Sequence, residues 1–238
     1  MTEALYLTET RRQEFEATVE RVLDDRVVLD RTAFYPEGGG QPADTGRLRT
    51  EDGTVRVTDV QKQDTIYHHF EDEAAKLEAG TTVTGELDWE RRHGHMRHHT
   101  AQHLLSAILL DEFDAETTGN QLYADRARLD CAYDRFDETD LADIEMRLNE
   151  QIEADHPVEW YELDRDTAEA ELDTDRTRID LLPDSITEVR IVEIDDVDRT
   201  ACAGTHVAST GELGRAEVTG RETRGSGEER VSFRLHEA

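Results

Sequence analysis

Apolar and polar residues alternate with a period of two through much of the first third of the chain. Phe15, Ala17 and Val19 alternate with polar neighbours, and Val27–Leu29 follows after Asp24-Asp25. That pattern predicts two strands joined by a hairpin turn. Strand-like runs recur at Thr54–Val60, Thr65–Phe70 and Thr81–Leu87, with Glu51-Asp52-Gly53 and Glu78-Ala79-Gly80 as turns. Several short strands at this spacing predict a small all-β barrel. Phe34–Gly46, rich in Pro and Gly, reads as a loop. Near Trp89 the period changes. From Arg92 to Phe113, Met96, Leu104, Leu105, Ile108 and Leu109 gather on one side of a helix. A second helix fits Thr139–Ala154, through Leu141, Ile144, Leu148 and Ile152 with Thr139 as its cap. A third begins at Asp166, with Glu169 as a capping-box partner. Further strands are predicted at Ala127–Tyr133, Val158–Leu163, Glu188–Ile194, Gly214–Thr219 and Val231–Leu235. The fold class expected is α+β. An N-terminal β-barrel domain covers 1–90. A second domain covers 91–238, with a mostly antiparallel sheet packed on helices.

Composition changes the picture in one respect. Acids outnumber bases 57 to 27 for a net charge of −30, and of the bases only Lys62 and Lys76 are lysine. An acidic, lysine-poor surface suits a protein living in molar salt, where repulsion is screened within about 3 Å. The same screening weakens the objection that so acidic a chain cannot meet nucleic acid, because the counterion-release contribution is then small. No run is apolar enough to span a membrane, no leader peptide is discernible, and two cysteines, Cys131 and Cys202, make no disulfide framework. The chain reads as cytoplasmic.

Five of the ten histidines fall within eleven residues: His93, His95, His98, His99 and His103. Side chains four apart on a helix share a face, so His95/His99 or His99/His103 could grip one metal ion. The second pair is preferred because Leu104, Leu105 and Ile108 draw that turn into a core; packed or solvated histidines are the competing reading. Downstream, Cys202-Ala203-Gly204-Thr205-His206 places a thiol and an imidazole around a flexible glycine. Cys202 reads either as a ligand or as a small buried hydrophobe. Together the clusters supply a nitrogen and sulfur set that favours Zn²⁺ over Mg²⁺ or Ca²⁺. Four protein ligands ordinarily mark a structural ion, whereas catalytic zinc keeps an open position. Arg91, Arg92 and Arg97 beside the histidines suit an RNA contact or a solvated helix face. The three glycines at 38–40 have neither a lysine nor a following helix, which excludes a nucleotide-phosphate loop; a tight barrel loop and a substrate-facing loop both remain.

His-Thr-Ala-Gln-His-Leu-Leu at 99–105 resembles the first zinc motif of the alanyl-tRNA synthetase editing domain and of the free-standing AlaX family. Cys-Ala-Gly-Thr-His at 202–206 resembles the second, with alanine at 203 where glycine is common. Phe34–Gly46 resembles the glycine-rich motif of the family's N-terminal barrel, and Arg221–Leu235 its C-terminal end. Length, and the lack of an ATP-binding catalytic domain, match the medium-length type; no ATP is expected. The resemblance implies His99, His103, Cys202 and His206 as ligands of one Zn²⁺ per chain. It places Gln102, Thr117, Thr118 and the loop glycines Gly38, Gly39 and Gly40 around the substrate. It implies hydrolysis of tRNA(Ala) mischarged with serine, and by extension glycine. Cys131 departs from the family, standing where an aromatic residue is usual, and His93, His95 and His98 are extra, read as surface or RNA-facing residues. Beyond the ligand set no general base stands out. A non-catalytic, zinc-stabilised RNA-binding module is the alternative, and an unrelated metallohydrolase of small esters or amides a third. Oligomeric state is not legible.

Overall fold

The computed structural model describes residues 2–70, 77–172 and 186–237, together with Thr177, Ile179 and Pro183. The fold is α+β, and the chain divides into two compact units, Met1–His95 and Met96–Ala238.

The first unit is built from β1 (Glu3–Ala4), β2 (Glu14–Val22), β3 (Arg26–Leu29), β4 (Arg31–Thr32), β5 (Gly46–Thr50), β6 (Gly53–Lys62), β7 (Ile66–Phe70) and β8 (Thr82–Leu87). Six of them close into a barrel in the order β2-β3-β7-β6-β5-β8, every pair antiparallel, while β1 pairs parallel with β4. Alternation fills the interior: Phe15, Ala17 and Val19 of β2 point inward with Leu48, Val55, Val57, Val60 and Val83. Phe34 occupies the same core and packs edge-on against Phe15. Among the six barrel strands, β5 is the one that the sequence pattern missed. It begins at Gly46, where a Cβ would stand 2.6 Å from the Phe34 ring and 2.1 Å from the Glu86 carbonyl oxygen. Only glycine lets the backbone come that close.

The glycine-rich segment forms a tight hairpin. Gly38 and Gln41 exchange backbone hydrogen bonds of 3.1 and 2.9 Å, and the two residues between them, Gly39 and Gly40, have φ of 58° and 82°. Two successive left-handed residues in a two-residue loop are the geometry that glycine pairs serve best. Asp44 braces its base, accepting from the Tyr35 amide at 2.7 Å and from the guanidinium of Arg92, which is wholly buried.

The first helical pattern opens earlier than its periodicity indicated. α1 runs Trp89–Phe113. It is followed by β9 (Thr117–Leu122), β10 (Ala127–Cys131), α2 (Glu138–Glu153), β11 (Val158–Asp164), α3 (Arg165–Glu171), β12 (Glu188–Ile194), β13 (Asp198–Ala201), β14 (Arg215–Gly225) and β15 (Glu228–His236). The strands form two antiparallel sheets, β14-β15-β10-β9 and β11-β12-β13. Within the second unit α1 is buried on most sides, with Met96, Ala101, Leu104, Leu105, Ala107, Ile108 and Leu109 at 6% exposure or less. α2 instead buries one stripe, Ile144, Leu148 and Ile152. Both shorter helices start before the expected caps. Asp137, not Thr139, caps α2 through a capping box with Asp140. Asp164, not Asp166, caps α3 by accepting from the Thr167 amide. At the head of α2 the Asp137 carboxylate accepts from both the Thr139 and Asp140 amides, and its charge suits a helix N-terminus. No helix among the described residues is long and apolar enough to cross a membrane.

Candidate metal centre

α1 carries His99, Gln102, His103 and Ser106 at spacings of three and four, so their side chains share one face. Leu104, Leu105 and Ile108 anchor the adjoining face in the core, which fixes the helix rotation and aims the histidines. The partner segment follows β13. Its loop is clamped by Arg190 of β12, whose Nη1 donates to the carbonyl oxygens of Cys202 (2.6 Å) and Gly204 (3.1 Å). The Cys202 amide donates to Arg190 O at 3.1 Å, and the guanidinium lies 5.6 Å from the Trp160 ring centroid. Gly204 folds back so that its amide donates to Cys202 Sγ at 3.3 Å.

The result is convergence. One potential ligand atom from each of His99, His103, Cys202 and His206 lies within 4.8 Å of the others. Cys202 Sγ is 3.5 Å from His99 Nε2 and 3.4 Å from His206 Nε2. A tetrahedral zinc with bonds of about 2.3 Å to sulfur and 2.0–2.1 Å to nitrogen would set each N···S edge at about 3.6 Å. The donor set and its spacing therefore fit Zn²⁺. His99 and His206 are buried, while His103 and Cys202 are part-exposed, so the cluster opens on that side.

At Cys202 and His206 the electrostatics suit a bound cation, whereas His103 must first give up a proton. Burial raises the Cys202 thiol, but His99, His206 and His103 around it pull it well below its ordinary value, towards the thiolate that a metal needs. Burial, with His99 adding to it, lowers His206 to about 3 and keeps it neutral. Burial also lowers His103, yet hydrogen bonds with Asp198 and Cys202 outweigh it and carry it to about 10. Asp198 Oδ2 lies 2.7 Å from His103 Nδ1, and Thr100 Oγ1 lies 3.1 Å from His206 Nδ1.

The other candidates fall in different places. Gln102 is buried; its Nε2 donates to the Arg128 and Gln121 carbonyls at 2.9 and 3.4 Å, and among the described residues its Oε1 accepts no hydrogen bond. Thr117 on β9 reaches Ser106 Oγ on the same face of α1 at 2.7 Å. Thr118 points the other way, to Glu228 at 2.8 Å. Gly38, Gly39 and Gly40 belong to the first unit. Cys131 is buried on β10 with Sγ towards the Glu229 carbonyl at 3.6 Å, outside the cluster, and burial pushes it up to about 12.

Three readings of the sequence need correcting. His95 and His98 are not surface residues: both are buried, His98 with its ring 6.0 Å from that of Phe233, and only His93, stacked on Trp89, is part-exposed. Arg92 lies on no solvated face; it bonds Asp44 and the carbonyls of Thr10 (3.0 Å) and Ala33 (2.6 Å). Arg97 is likewise committed to backbone, the carbonyls of Leu213 and His236. The sequence reading also passed over Thr100, Asp198 and Arg190. The only signal available was proximity, Thr100 inside the first motif and Asp198 four residues before Cys202.

Comparison with known proteins gives the family. The family model for class II (A) tRNA synthetases matches residues 2–91, and that for the second additional domain of threonyl- and alanyl-tRNA synthetases matches 189–234. Alanyl-tRNA editing protein AlaX-M of Methanosarcina acetivorans is 42% identical over 99% of both chains, and that of Methanosarcina barkeri 44% identical over 99% of both. The alanine–tRNA ligase of Halobacterium salinarum is 40% identical over 98% of this chain, which corresponds to 26% of the ligase. With full-length identity at this level, the chain belongs to the AlaX family of free-standing alanyl-tRNA editing proteins.

Proposed function

We propose that this protein is a zinc-dependent aminoacyl-tRNA deacylase that clears serine, and by extension glycine, from tRNA(Ala). The observation that carries the reading is the meeting of His99, His103, Cys202 and His206 at one point open on one side. Held by His99, His103, Cys202 and His206, a zinc ion would supply a positive centre for the substrate's neutral amine or an ester oxygen. The protein's own groups orient and select. Gln102, tethered through Nε2, offers its buried Oε1 as an acceptor to the substrate's amino N–H or to a serine hydroxyl. A pocket built to bond a hydroxyl separates serine from alanine far better than an apolar pocket does. Thr117, beside Ser106 one turn beyond His103, borders the same face. In the reaction a water oxygen bonds to the ester carbonyl carbon and the bond to the ribose oxygen breaks. That oxygen takes up the proton, releasing free amino acid and uncharged tRNA.

The second reading, a zinc-stabilised RNA-binding module without turnover, draws on the fact that all four ligand atoms lie together with none standing off. One experiment separates them. Ser-tRNA(Ala), Gly-tRNA(Ala) and Ala-tRNA(Ala) are incubated in high salt with zinc-loaded wild type, Cys202→Ala and Gln102→Leu. Deacylation should remove serine much faster than alanine. It should vanish in Cys202→Ala, and Gln102→Leu should lose turnover while keeping its zinc. A folded, zinc-loaded wild type that releases neither serine nor glycine sinks the deacylase reading and leaves the binding module.

A further inference from the structure

Hydrogen-bond chemistry fixes the tautomers of two of the four ligands. A carboxylate only accepts, so the 2.7 Å contact between Asp198 Oδ2 and His103 Nδ1 requires the proton on Nδ1. Thr100 has one hydroxyl proton, and it goes to the Met96 carbonyl oxygen at 3.1 Å. Its oxygen accepts from the Val207 amide at 3.4 Å, so the 3.1 Å contact with His206 Nδ1 is donated by the imidazole. Both rings thereby hold a proton on Nδ1 and leave Nε2 as the nitrogen available to a metal, which at His206 lies 3.4 Å from Cys202 Sγ.

The origin of these anchors is reciprocal. His103 sits on α1 and is held by Asp198, which opens β13 on the Cys202 side. His206 sits beyond β13 and is held by Thr100, on α1. Asp198 is 7% exposed and Thr100 wholly buried, so water competes poorly for either bond.

We propose that Asp198 and Thr100 are positioning residues: they brace the two ligand-bearing segments against each other and set His103 and His206 in the orientation and tautomer that zinc requires. The Asp198 charge also makes His103 the stronger donor. This rests on the metal reading above.

The test uses the full chain, stripped with a chelator, as wild type, Asp198→Ala, Asp198→Asn, Thr100→Val and Thr100→Ser. Zinc affinity is read by competition with a chromophoric chelator, ring geometry by the visible bands of the cobalt(II) form, and folding by circular dichroism. Asp198→Ala and Thr100→Val should bind zinc about 10–100-fold more weakly with altered cobalt bands. Thr100→Ser, which keeps the hydroxyl, should restore both. Asp198→Asn, which keeps an acceptor but no charge, should fall between and serves if the alanine variant does not fold. Affinities within about twofold of wild type and unchanged cobalt bands in folded variants would overturn the brace while leaving the metal reading intact. A wild type that takes up no zinc overturns both.

Discussion

His68 makes the barrel sensitive to acid by a predictable amount. It lies on β7 with no exposed surface, its Nδ1 3.4 Å from the Val27 carbonyl oxygen and its Nε2 2.8 Å from Thr32 Oγ1, edge-on to Phe34. Burial, with a smaller push from His69, lowers it from the ordinary 6.5 to about 4 against the hydrogen bond to Val27. Between those two values the unfolded chain binds a proton that the folded barrel refuses. The resulting stability is fully present above pH 6.5 and is lost as pH falls through about 4. The gap corresponds to about 3 kcal/mol by pH 4, a large share of the stability of a small barrel. The carboxylates of so acidic a chain titrate in the same range, so a single pH profile cannot isolate His68. Substituting His68→Gln keeps hydrogen-bonding groups and removes the titration. Urea unfolding of wild type and variant, followed by circular dichroism from pH 7.5 to 4 in high salt, subtracts the shared background. Wild type should lead at pH 7.5, and its margin should shrink by about 3 kcal/mol towards pH 4. Profiles parallel to within about 1 kcal/mol would refute the reasoning.

Two further substitutions test structural assignments. Arg92→Met leaves Asp44 as a buried, unmatched carboxylate, so it should destabilise the first unit by about 3–5 kcal/mol in urea unfolding, and adding Asp44→Asn should recover part of that loss. Arg190→Ala removes both bonds to the Cys202 and Gly204 carbonyls. Each is worth about 1.5–3 kcal/mol in such charged pairs, so zinc should leave the variant faster when challenged with excess chelator.

What the sequence disclosed of this protein was what lies close together along the chain. The His99/His103 pair and the Cys202–His206 loop are each local, and their order and residue types pointed to the centre before any geometry was known. The barrel strands announced themselves by alternation, since Phe15, Ala17 and Val19 face a core while their neighbours face water. β5 did not, because its first inward position is Gly46, which carries no hydrophobic signal, and of its remaining residues only Leu48 is apolar. Arg92, His95 and His98 were misjudged for a related reason. Charge and polarity at a helix start suggest solvent, and burial compensated by Asp44 or by backbone carbonyls depends on residues dozens of positions away. Asp198 and Arg190 act only through the fold and leave no pattern of their own.

The separation of the ligand pairs also shapes how the second unit folds. His99 and Cys202 are 103 residues apart, and the strand pairing that joins Asp130 of β10 to Arg230 of β15 spans 100. β15 lies between β14 and β10, so the four-stranded sheet cannot be completed until that long loop closes. Closing it costs chain entropy before most native contacts repay it, which places the unit among slow folders of high contact order. A metal held by both segments is a cross-link across the same loop. Once bound it would oppose reopening much as a disulfide would, in a chain whose two cysteines are both free. On the proposed reading, the residues that gather at the centre would thus also make zinc supply a determinant of how long the folded protein persists.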